Sequence, residues 1–90
     1  MIKIEIPSDE IIEKTSAKGN KYFQQLAYAY TVDENGKPYP FPERTYIYCP
    51  TDDSGTPRIY KKGPYKLMPQ SLRVGGFDRL EVGNLVLAPL

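Results

Sequence analysis

Lys14-Thr15-Ser16-Ala17-Lys18-Gly19-Asn20-Lys21-Tyr22-Phe23-Gln24-Gln25-Leu26-Ala27-Tyr28-Ala29-Tyr30 joins a small, polar, basic half to a half that carries four rings among nine residues. Gly19-Asn20 between two extended runs predicts a β-hairpin, because glycine takes positive φ without cost and asparagine tolerates it. Lysines on one arm neutralise phosphates whatever the base sequence, and each exposed ring on the other offers a stacking face worth roughly 1 to 3 kcal/mol per base. The same rings are also ordinary strand residues that a β core would bury. Along the return arm Leu26, Tyr28, Tyr30 and Val32 alternate with Ala27, Ala29 and Thr31, so one large face is expected. Tyr22 shares its parity, and a core role and a stacking role cannot both hold on that face without a twist or bulge.

The flanking chain reads as β as well. Ile2, Ile4 and Ile6 alternate with Lys3 and Glu5 in a first strand that Pro7-Ser8-Asp9 ends, and Ile11-Ile12 leads into the hairpin arm. Asp33-Glu34-Asn35-Gly36-Lys37-Pro38 is a loop with a tight turn at Asn35-Gly36. Tyr39-Pro40-Phe41-Pro42 holds two rings on stiff backbone that cannot sit in a central strand, a second candidate stacking platform. Thr45 to Cys49 is a strand, Asp52 to Pro57 a turn, and Ile59-Tyr60 and Tyr65 to Met68 are short extended pieces. Leu72-Arg73-Val74 and Leu80-Glu81-Val82 flank Gly75-Gly76-Phe77-Asp78, and Leu85-Val86-Leu87 closes the fold. Nine prolines, seven glycines and no amphipathic helix predict a small all-β barrel or sandwich, a single domain over residues 1–90.

Ninety residues leave a small core, since a domain of this size buries only about 60 to 65% of its unfolded surface. Self-association is therefore expected, the more so because the single cysteine, Cys49, can form no internal disulfide. The alternating start predicts neither signal peptide nor membrane span, and a cytosolic protein. Net charge is +1, but Lys14, Lys18 and Lys21 crowd the hairpin and Arg58, Lys61, Lys62 and Lys66 form a second group, with the acids gathered elsewhere, where turns or solvated edges would hold them. With no histidine and one cysteine there is neither a zinc site nor a Cys-His pair, and no Gly-rich phosphate loop precedes a helix, so we expect no enzyme, metal or cofactor. Phe77 at a hairpin tip is a large apolar ring that suits a partner rather than its own small domain.

In order along the chain, Met1-Ile2-Lys3-Ile4-Glu5-Ile6, Thr15 to Asn20 with Tyr22, Gln25-Leu26-Ala27-Tyr28, Tyr39-Pro40, Gly63-Pro64-Tyr65 and Ser71 to Phe77 resemble the gene V family. These are the helix-destabilising single-stranded DNA-binding proteins of filamentous bacteriophages. The resemblance implies a five-stranded OB-like antiparallel barrel with protruding hairpins: a DNA-binding wing, a complex loop and a dyad loop. It implies a homodimer that coats viral single strands cooperatively in the cytoplasm of the bacterial host, holding two antiparallel stretches and diverting replication from duplex synthesis to packaging. The family's wing matches Lys14 to Tyr30 and its stacking rings match Tyr22, Tyr28 and Tyr39. Its basic residue after the complex loop matches Arg44, and its dyad-loop ring, which crosses to the partner's DNA site, matches Phe77. With Lys14, Lys18 and Lys21 these are the candidate DNA-binding residues. Asn84 stands where some members carry arginine, lysines replace the wing's arginines, and Glu34 to Pro38 and Thr51 to Thr56 are insertions. A β-barrel module that binds protein through the Pro40 and Pro42 loop and Phe77 is the alternative, and salt separates the two readings.

Overall fold

The computed structural model describes residues 2–90. Its strands are β1 (Lys3–Ile6), β2 (Ile12–Thr15), β3 (Lys21–Ala29), β4 (Glu43–Cys49), β5 (Gly63–Leu67), β6 (Leu72–Val74), β7 (Leu80–Val82) and β8 (Leu87–Pro89). No α-helix occurs among the described residues, and no helix there is long and apolar enough to cross a membrane. The longest strand, β3, organises the rest. On one edge it pairs antiparallel with β4, unbroken from Phe23 opposite Cys49 to Ala29 opposite Glu43. On its other edge it takes β2 at its start, Lys14 opposite Tyr22, and β1 at its end, Ile4 opposite Ala29. Pairing then continues from β1 to β5 and from β5 to β8.

Six strands thus form one antiparallel sheet, and β6 and β7 form a separate two-stranded ribbon. No pairing among the described residues joins β4 to β8, so backbone hydrogen bonds do not close a ring. The sheet curls nonetheless. Ile47 of β4 and Leu87 of β8, from the two ends of the pairing path, share one core with Ile4, Ile6, Ala27 and Tyr65. Ile2, which the alternation put on the same face, is exposed at the rim. Between the two sheet ends lie a cleft of about 340 Å³, lined by Ile4, Ala29, Thr45, Leu67 and Leu85 among others, and the irregular segment around Tyr60.

That segment, expected as a strand piece, is held by side chains instead. Gln25 is fully buried, and its amide grips Tyr60 at both backbone atoms: Oε1 accepts the Tyr60 N–H at 2.7 Å and Nε2 donates to the Tyr60 carbonyl at 2.8 Å. The Tyr60 hydroxyl accepts the Leu87 N–H at 3.1 Å, and its ring meets Tyr65 edge-on. A buried amide is tolerated only when satisfied, and here both its ends are. Three loop tips share one design. Gly19, Gly36 and Gly55 each donate N–H to a residue three back and take φ of 85°, 82° and 82°. The Asp33 and Asp52 carboxylates each accept two further backbone N–H groups in the latter two turns. Left-handed φ at these positions favours glycine.

Candidate nucleic-acid interface

The parity of β3 settles where its rings point. Gln25 and Ala27 are buried, so the even residues Tyr22, Gln24, Leu26 and Tyr28 face outward. The core takes Ala27 and the Gln25 amide, Phe23 shares their parity at the start of the strand, and Tyr22, Leu26 and Tyr28 are left outside. No bulge is needed, because β3 keeps register with β4 throughout. Tyr28, half-buried, lies outside the core cluster and opposite Arg44.

Register then assembles the face. β4 sends Ile47 and Cys49 inward, so Arg44, Tyr46 and Tyr48 stand outward, with Tyr46 opposite Leu26 and Tyr48 opposite Gln24. β2 adds Ile12 opposite Gln24 and Lys14 opposite Tyr22. β1 and β5 add Lys3, Glu5 and Lys66, since Ile4 and Tyr65 are their buried residues. Lys3 sets its Nζ 4.8 Å from the centroid of the Tyr30 ring, a cation–π contact at the border of the same face. Rings and cations are interleaved, with Glu5 the one carboxylate these strands turn outward.

Of the residues expected at the site, Lys14, Tyr22, Tyr28 and Arg44 are brought together on this face. Lys18 is exposed at the hairpin tip beyond it. Lys21 has the opposite parity and lies 3.8 Å from Glu13, both well exposed, so its charge is shared on the far side of the hairpin. Tyr39 is exposed in the 30–42 loop, its N–H bonded to the Thr31 carbonyl at 3.2 Å, with Phe41 still more exposed beside it. Phe77 is 97% exposed at the tip of the β6–β7 ribbon, in left-handed backbone at φ 60° and ψ 29°. It lies outside the strand face.

The ribbon itself has two unlike sides. Leu72 opposite Val82 and Val74 opposite Leu80 make one side wholly apolar, and all four are exposed. On the other side Arg73 Nε donates to Glu81 Oε1 at 3.0 Å. Sequence reasoning passed over Tyr46 and Tyr48 as members of the face. The signal was the alternation of Arg44, Tyr46 and Tyr48 with Thr45, Ile47 and Cys49, in which either set could have been the buried one. Among the described residues no three His, Cys, Asp or Glu side chains group to hold a metal ion. Comparison of the chain with models of known protein families and with curated proteins yields no match.

Proposed function

We propose that this protein binds and coats single-stranded DNA without strong base preference. The observation that carries the reading is the parity of β3: Gln25 and Ala27 enter the core, and Tyr22 and Tyr28 are left on the outward face with Lys14, Arg44, Lys3 and Lys66. Rings take the faces of unpaired bases and cations take the phosphates, so the surface suits a strand whose bases are free and rejects a duplex that hides them. The chemistry is binding alone, with no reaction and no cofactor. By its resemblance to the gene V family, the biological setting is filamentous phage replication in the bacterial cytoplasm, with coating of viral single strands in preparation for packaging.

The working unit in this reading is a two-fold dimer joined through the apolar side of the β6–β7 ribbon. A lone two-stranded ribbon is marginal in water, and this one has an uncovered apolar side of four residues. Phe77 then belongs to the DNA site of the partner subunit, and the curled sheet is an OB-like barrel closed by the Tyr60 segment. A protein-binding module is the second reading, favoured by that apolar ribbon and by Phe41. Titration of oligo-dT against a hairpin duplex over a series of salt concentrations tests the first reading. Preference for oligo-dT with affinity falling steeply in salt supports it; equal competition by duplex, or indifference to salt, overturns it.

A further inference from the structure

We propose that Tyr46 and Tyr48 form a second row of base-stacking rings, so that a single strand lies along β4 as well as against the β2–β3 hairpin. This rests on the strand-binding function proposed above. Both rings stand outward from β4, the strand at one end of the sheet, paired on one edge with β3, and remain 46% and 42% exposed. Neither contributes to the core cluster. Among the described residues the ring hydroxyls that bond to the protein are those of Tyr60 and Tyr65, so the hydroxyls of Tyr46 and Tyr48 are free. Tyrosine is an ordinary strand residue, but two at successive outward positions leave a large apolar area open to water on this face.

Spacing and charge select the occupant. Successive outward residues of a strand stand about 6.6 Å apart, roughly twice the 3.4 Å advance per nucleotide of a stacked strand. A polynucleotide drawn along β4 is therefore unstacked, with one base offered to each ring. Arg44 continues the same row two residues before Tyr46 and puts a cation where the backbone of that strand passes. Leu26 and Tyr28 run beside it on β3, so the bases have apolar surface on the β3 side of the row. The outward strand charges, Lys3, Lys14, Arg44 and Lys66 against Glu5, suit a polyanion. An apolar protein surface has no use for that balance.

Two measurements on the full chain test the second row. Tyr46→Ala and Tyr48→Ala should each bind oligo-dT roughly 5- to 150-fold more weakly, with the salt slope unchanged, while Tyr46→Phe and Tyr48→Phe bind like the parent. The melting temperatures of the alanine variants should stay close to the parent's. Nitration of the unmodified protein by tetranitromethane, read by peptide mass spectrometry, needs no variant to fold: Tyr46 and Tyr48 should be modified in the free protein and protected by saturating oligo-dT. If the parent binds oligo-dT and Tyr22→Ala weakens it, but Tyr46 and Tyr48 stay equally open to nitration, the second row is overturned and the strand-binding function stands. Failure of the parent to bind any single strand overturns both. Protection already complete without oligo-dT means that a second copy covers the face, which also overturns the proposal.

Discussion

Tyr28 and Ile47 differ by which side of the curled sheet they occupy, and their substitutions should separate accordingly. Tyr28→Ala removes an outward ring, so the melting temperature should move by a few degrees at most while affinity for oligo-dT falls by about 1 to 3 kcal/mol. Ile47→Ala opens a cavity at a position 1% exposed, and about 2 to 5 kcal/mol of stability should be lost in thermal unfolding. Cys49, buried behind β4, has its thiol pushed above its ordinary 9.0 by desolvation. The unfolded chain releases that proton first, so stability should decline as pH climbs past about 9. A thiol reagent at pH 8 should leave Cys49 untouched until denaturant is added. At this scale the sequence was only half legible. Alternation separated Tyr22, Leu26 and Tyr28 from Gln25 and Ala27, but left open which set the core would take. The interior is filled by Ile4, Ile6, Ile47, Tyr65 and Leu87 from the other strands, and β3 adds Ala27 and the clasped Gln25 amide to it.

Elements joined by local turns were the easiest to foresee. The β2–β3 hairpin, the β6–β7 ribbon and the loop at Asn35-Gly36 are each written in a glycine and its neighbours, and each stands near where the turn chemistry put it. The Ile59-Tyr60 piece did not become a strand, because its partners are a side chain 35 residues away and a single N–H of β8. No local signal carries that. The ribbon yields two expectations. Leu80→Lys places a charge on its apolar side, so sedimentation equilibrium should shift from near twice the 10.2 kDa chain mass to the monomer. Phe77→Gly removes a side chain from left-handed backbone that costs about 1 to 3 kcal/mol to hold. Melting should be unchanged or slightly higher, yet binding to oligo-dT should weaken, a combination that assigns the strain to function.

Over the whole molecule the net charge is only +1, yet the outward strand charges are Lys3, Lys14, Arg44 and Lys66 against Glu5 alone. Lys14→Ala and Lys18→Ala should each lower the slope of log affinity against log salt by about 0.7, weakening all sequences alike, whereas Lys21→Ala, already beside Glu13, should change it less. Competition titrations at several salt concentrations distinguish these cases. The sheet's order was beyond the sequence, since it depends on pairings such as β1 with β3 and β5 that only distant parts of the chain can complete. The grip of Gln25 on Tyr60 has a consequence in time. Its two hydrogen bonds span 35 residues and tie the 50–62 segment back onto β3. Closing so long a loop costs chain entropy that local hairpins do not, and contacts that form after the folding transition state govern how long a native molecule survives rather than how fast it forms. Gln25→Ala should therefore leave the refolding limb of a chevron nearly in place and raise the unfolding limb, so that each folded copy opens sooner.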